Sequence, residues 1–167
     1  MTPQNASSSS SPGGARRDGG PNPYLRTKVL TASQEELRLM LFDGAIRFAR
    51  LGREGLIGKD YEKSFEGITR CQAILMELIN SLRPEHDPDL CEKLAALYTF
   101  MYTRLLDASR QRDAGIVDEV LRLLEFERET WVMLMEQLAR EAKGAAQSAA
   151  AQAAAAPPPK QSISVQG

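Results

Sequence analysis

The spacing of apolar residues predicts four α-helices between residues 33 and 142. Apolar side chains recur three and four residues apart, the spacing that places them on one face of a helix. No segment alternates apolar and polar residues as a half-buried strand does. The last helix has the longest such stripe: Val117, Leu121, Leu124, Trp131, Met135, Leu138 and Ala142.

Each predicted helix begins at a residue whose side chain can accept a hydrogen bond from the free N–H groups of the first turn. Glu36 stands three residues after Ser33, so the two can form a capping box. Pro88 follows Asp87 and takes the first helical position. Short connections make sequential helices antiparallel neighbours, so we expect an all-α, up-down-up-down four-helix bundle. The four capping residues are Ser33, Asp60, Asp87 and Asp113.

Composition predicts disordered tails on both sides of this bundle. Residues 1–21 are rich in Ser, Gly and Pro and hold too few apolar groups to offset the entropy of ordering. Residues 143–167 are rich in Ala and Pro, and Pro157 sets an upper limit to the last helix. The expected organisation is a leader (1–21), an N-terminal segment (22–32), the bundle (33–142) and a tail (143–167).

The first predicted helix carries more apolar residues than one face needs. One arc of these apolar residues, which includes Leu37, suits a core. A second stripe, made of Leu39, Phe42 and Ile46, points about 140–200° around the helix from Leu37. The third helix has three large side chains beside its core stripe, Phe100, Tyr102 and Leu106. Either these six residues pack against neighbouring helices, or they form a groove that binds a partner.

The N-terminal segment, residues 22–32, is too apolar for a simple linker. Tyr24, Leu25, Val29 and Leu30 follow two prolines and show neither helical nor strand periodicity. Such a segment can cover an apolar groove in the free protein and leave when a partner competes for it. We therefore expect it to act as an N-terminal cap.

Arg128 interrupts the apolar stripe of the fourth helix and needs a partner. Counting helical turns places it opposite the middle of the first helix, close to Asp43. We expect a structural ion pair between the two, with the alternative that the Arg128 head group reaches water instead.

Charge and reactive residues exclude several classes of function. The chain has 21 basic and 22 acidic residues, a balance that gives no field for nucleic acid, and no apolar run is long enough for membrane insertion. Cys71 and Cys91 suit a reducing, cytoplasmic compartment. The single histidine, His86, lies in a loop, so we expect no catalytic residues, no metal and no cofactor, and no enzyme activity.

Several stretches resemble one known family, the flagellar secretion chaperone FliS. The similarity covers roughly residues 22–140, and the ordered set of stretches carries it rather than any single motif. The stretches are Asn22–Tyr24, Thr31–Ser33, Leu39–Phe48, Leu97–Leu105 and Leu124–Trp131.

The resemblance implies a cytoplasmic chaperone that binds the C-terminal segment of flagellin, prevents premature polymerisation and aids delivery to a component of the export apparatus. An amphipathic client helix in an apolar groove fits the wide apolar surface of the first helix. The alternative from another class is a helical adaptor or structural bundle that forms a homodimer through the same surface, without a client.

Overall fold

The computed structural model describes residues 23–85 and 87–155. Every regular element within those ranges is an α-helix. None of the described helices is both long enough and apolar enough to span a bilayer. The chain divides after Ala32 into two units, the first of which contains one described helix. The helices are α1 (Pro23–Thr31), α2 (Gln34–Ile57), α3 (Tyr61–Asn80), α4 (Pro88–Gln111) and α5 (Ala114–Ala155).

Local capping chemistry places the helix starts where the sequence predicts them. The Ser33 hydroxyl accepts from the Glu36 backbone N–H while the Glu36 carboxylate accepts from the Ser33 N–H, so the capping box of α2 is confirmed. Asp60 caps α3 and Asp87 caps α4 through their carboxylates. The Asp113 carboxylate accepts from a backbone N–H in the first turn of α5 at 2.7 Å. The predicted capping residues of all four helices are therefore confirmed.

Two segments differ from the sequence prediction. Residues 23–31 form α1, although their apolar side chains lack helical periodicity. The hydrogen bonds of a helix join backbone groups, so a helix can form without an amphipathic pattern of side chains. Residues 143–155 are helical rather than disordered, because alanine has the highest intrinsic helix propensity and extends α5. The expected leader 1–21, the final residues 156–167 and His86 lie outside the described ranges.

The second unit is built around a single apolar core. Helix α2 packs against α3 and α5, and α4 packs against the same two helices. Each of these helices contributes fully buried side chains. The largest of them are Tyr98, Phe42, Leu75, Leu78, Met101, Leu105, Leu124, Val117 and Val120.

The closest helix contact is between α2 and α3, where glycines and a serine face each other. A Cβ on Gly67 would collide with the backbone N and Cα of Gly52, and a Cβ on Gly55 would collide with the backbone of Ser64. These positions have no room for a larger side chain. The two backbones therefore touch, which fixes how α2 and α3 cross.

Ion pairs tie α5 to both of its neighbours. Arg53 Nε lies 2.5 Å from Asp118 Oδ1 and Arg50 Nη2 lies 2.6 Å from Glu125 Oε1, so higher residue numbers on α5 meet lower ones on α2. Arg104 of α4 binds one carboxylate oxygen of Glu119 through both Nε and Nη2.

We expect Gly67→Ala to lower the free energy of unfolding by about 1–3 kcal/mol, because the added methyl group meets backbone atoms that cannot move aside. Gly144→Ala is the matched control, since its Cβ has nothing within 4 Å and alanine favours the helix. Chemical denaturation of both variants measures the difference. Equal stability of the Gly67→Ala variant and the wild type would contradict the backbone contact.

Candidate partner-binding surfaces

A cleft of about 890 Å³ runs between α2 and α5. Its apolar lining comes from Ile46, Phe48 and Leu51 of α2. Its rim is charged with both signs: Asp43, Arg47, Arg50 and Glu54 on one side, and Glu125, Arg128 and Glu129 on the other. An apolar floor between charged rims suits an amphipathic segment, which presents an apolar face to the floor and polar groups to the rims.

The second apolar stripe of α2 is mostly inside the core. Phe42 is 1% exposed and Ile46 is 7% exposed, while Leu39 is half-buried. The expectation that Phe42 and Ile46 face outward is therefore wrong for this structure. Because α2 has a neighbour on each side, its buried face is wide enough to include both residues.

The three candidates on α4 lie on two different faces. The Tyr102 backbone carbonyl accepts from Gln72 Nε2 of α3, and Leu106 is one turn further along on the same side. Phe100 is one turn before Arg104, which binds α5. Tyr102 is half-buried, whereas Phe100 and Leu106 are 50% and 44% exposed. The six predicted residues therefore do not form one continuous surface.

Other exposed apolar side chains extend beyond the predicted set. The periodicity of α3 suggests that Phe65 belongs to the core, but it is 69% exposed. Its position on the helix is consistent with this exposure, because Phe65 lies at the edge of the apolar stripe of α3, to one side of the buried residues Ile68 and Leu75. Further exposed apolar residues lie on α3, α4 and α5: Met76, Leu90, Phe126, Met133, Leu134 and Leu138.

The structure brings Arg128 and Asp43 together, with Arg128 Nε 2.5 Å from Asp43 Oδ1. The carboxylate of Asp43 raises the pKa of Arg128 through this hydrogen bond and through its charge. Both side chains are well exposed, so the pair belongs to the class of surface ion pairs that contribute about 0–1 kcal/mol. It sets the register of α5 on α2 more than it stabilises the fold.

A second pocket, of about 240 Å³, lies where α2 and α4 begin and α3 ends. We call it the end pocket. Trp131 of α5 closes one side, and its indole N–H donates to the Glu35 backbone carbonyl at 3.0 Å. The Arg38 guanidinium lies over the Trp131 ring, 5.1 Å from its centroid, and its Nη2 donates to the backbone carbonyl and hydroxyl of Ser81. No pattern in the sequence singles out Arg38, because its partners Ser81 and Trp131 lie on other helices or at their ends.

Two side chains with ionisable groups, Cys71 and Tyr98, are buried. Burial raises the pKa of the Cys71 thiol to about 12, so almost no thiolate is present near neutral pH. Burial, together with the charge of Glu127, raises the pKa of Tyr98 to about 12. No cluster of three or more His, Cys, Asp or Glu able to hold a metal ion occurs among residues 23–85 and 87–155.

The sequence model of one family, Flagellar protein FliS, matches residues 20–154. The chain belongs to the FliS family. Relatives described as flagellar secretion chaperone FliS include one from Bacillus subtilis (strain 168), 30% identical over 122 residues, which are 73% of this chain and 90% of the relative. Another, from Escherichia coli (strain K12), is 34% identical over 110 residues, or 64% of this chain and 79% of the relative.

A third FliS relative, from Salmonella typhimurium, is 31% identical over 108 residues, covering 64% of this chain and 80% of the relative. The family match includes all of α2, α3 and α4 and nearly all of α5. The α2–α5 cleft and the end pocket therefore both lie within the FliS-like part of the chain.

We expect Ile46→Asp to destabilise the protein by more than about 3 kcal/mol, because it places a carboxylate in a core site without a partner. Leu106→Asp is the control on a half-exposed site and should change stability by about 0.5 kcal/mol or less. Circular dichroism during denaturant unfolding gives both values. A folded Ile46→Asp variant of wild-type stability would show that the stripe is surface after all.

Proposed function

We propose that this protein is a cytoplasmic export chaperone that binds the C-terminal segment of flagellin. In this role it prevents premature polymerisation and aids delivery to a component of the export apparatus. The observation that carries the proposal is the FliS family match over residues 20–154, with relatives described as flagellar secretion chaperones. The binding surfaces support it because they lie within the matched region.

We infer that α2 to α5 form an antiparallel up-down-up-down four-helix bundle. Two contacts of α2 support this inference: Arg38, near its start, binds Ser81 at the end of α3, and Gly55, near its end, meets Ser64 near the start of α3. The ion pairs Arg53–Asp118 and Asp43–Arg128 indicate that α2 and α5 are also antiparallel, because the higher residue number on one helix meets the lower one on the other. Such a bundle offers grooves between adjacent helices to an amphipathic client.

The client-binding residues that we propose are those of the predicted set that the core does not hold: Leu39, Phe100, Tyr102 and Leu106. Exposed apolar groups are common singly, but several large ones on adjacent helices indicate a binding surface. Because these residues lie on more than one face, the client has to contact the bundle in more than one place. A long segment that wraps the bundle satisfies this requirement better than a single short helix.

The purified protein should form a stable one-to-one complex with a peptide of the flagellin C-terminal segment, detected by size-exclusion chromatography with light scattering. Phe100→Asp and Leu106→Asp should each weaken binding about five- to tenfold by calorimetry, because a carboxylate replaces an apolar contact. Ile57→Asp, which also removes an exposed apolar side chain, should leave the affinity unchanged.

A homodimer that does not bind the peptide would contradict a chaperone role. In that case the same apolar residues would serve a helical adaptor or structural bundle. Light scattering without peptide measures the oligomeric state directly. Dissociation of a homodimer by Leu106→Asp, together with no peptide binding, would favour the adaptor.

Residues 22–30, which include Tyr24, Leu25, Val29 and Leu30, remain predicted to act as a cap that competes with the client. Deleting them should tighten client binding, since a competing segment lowers the apparent affinity by the fraction of time that it is bound. Calorimetry on the truncated chain measures the change. Weaker binding after deletion would show that the segment contacts the client instead.

A further inference from the structure

The end pocket differs in construction from the α2–α5 cleft. All four helices of the second unit, or their immediate ends, line it, whereas the cleft is lined by α2 and α5 alone. Its volume of about 240 Å³ is below the range of small-molecule sites, roughly 300–1,000 Å³. A site of this size at a helix-bundle end suits one or two side chains of a peptide rather than a helix that runs through.

The pocket combines an apolar part with four charged lining residues, Arg38, Arg83, Glu35 and Asp87. Its apolar lining is Leu82, Leu90, Leu94 and Trp131. Leu90 is 51% exposed, so part of this surface is open to a partner. An apolar side chain that enters removes this surface from water, the main favourable term in most protein association.

Arg38 is half-buried, and no carboxylate lies within 4 Å of its guanidinium among the residues that the structure describes. Arg50, Arg53, Arg104 and Arg128 each have such a carboxylate. Both hydrogen bonds of Arg38 to Ser81 come from Nη2. Within the described ranges its Nε and Nη1 have no acceptor, which leaves two donors for a carboxylate of a ligand.

We propose that the end pocket binds the C-terminal residue of the client, with its apolar side chain in the pocket and its α-carboxylate on Arg38. A chain terminus carries both groups on one residue, whereas an internal segment has to supply the apolar side chain and a carboxylate from two residues. The proposal rests on the chaperone function proposed above and specifies which end of the client segment occupies this site.

The other charged groups at the pocket are compatible with this ligand. Arg83 lies at the same pocket, and its nearest carboxylate, Glu85, is 3.8 Å away and exposed. Asp87 is engaged as the cap of α4, where it accepts from the Leu90 backbone N–H. Glu35 also lines the pocket, in the first turn of α2, where backbone and Ser33 hydrogen bonds lower its pKa. Among the charged lining groups only Arg38 and Arg83 attract a carboxylate, and Arg38 is the one that also lies over the Trp131 ring.

The test compares two client peptides of identical sequence, one ending in a free carboxylate and one in an amide. Trp131 is the only tryptophan of the chain, so its fluorescence reports occupancy of the end pocket directly when the peptide contains none. The free acid should bind about tenfold more tightly than the amide, as expected for a charge-assisted hydrogen bond. It should also shift the Trp131 emission.

Arg38→Gln should bring the two affinities within about twofold of each other, and Arg38→Lys should restore part of the preference. Arg122→Gln, an exposed arginine on α5 outside the described surfaces, is the control and should keep the tenfold preference. Thermal unfolding checks that each variant is folded. If Arg38→Gln does not fold, the acid and amide comparison on the wild-type protein still decides.

Equal binding of the acid and amide peptides by the wild-type protein would overturn the proposal while leaving the chaperone function intact. Loss of binding on replacing an internal Asp or Glu of the peptide, with no effect of the terminal amide, would likewise overturn it. Absence of binding by either peptide in calorimetry would instead reject the proposed function. The two failures are therefore distinguishable.

Discussion

The backbone contact between α2 and α3 is the constraint on which the rest of the second unit depends. Gly52 and Gly55 of α2 face Gly67 and Ser64 of α3 so closely that no side chain fits between them. Because the two helices touch here, neither can rotate about its own axis without a clash. The contact thereby limits which side of α2 can face α5.

The position of α5 follows from this arrangement and from polar contacts along its length. Three ion pairs with α2 and the Trp131–Glu35 hydrogen bond hold its register, although each ion pair is exposed and weak by itself. The buried apolar core supplies most of the stability, and the polar contacts fit the observed register. A one-turn slip would break all of these contacts together.

The binding surfaces are consequences of the same geometry. The cleft has an apolar floor from α2 and charged rims that ion pairs between α2 and α5 join. The end pocket lies where α5 continues past the start of α2, with Trp131 at the junction. Helix α5 has 42 residues, about 63 Å, so its second half extends beyond the helices that cover the first. Under the proposed function, an extended client can contact these helices along this length.

Local signals in the sequence determined where helices begin, because a cap involves only residues within one turn. Ser33, Asp60, Asp87 and Asp113 are examples. The pairing of Arg128 with Asp43 could also be anticipated, since it follows from counting turns through short connections. The helix at residues 143–155 follows from the high intrinsic propensity of alanine, which periodicity does not record, whereas neither periodicity nor propensity in the sequence indicates the helix at residues 23–31.

Only the tertiary structure decided which apolar residues are buried. Phe42 and Ile46 lie in the core and Phe65 lies outside it, because burial depends on how many neighbours a helix has and how close they come. Arg38 and Trp131 meet across 93 positions of sequence through the close approach of their helices. The pattern of a single helix records its own periodicity, whereas a pocket formed by four helices depends on distances that no local pattern contains.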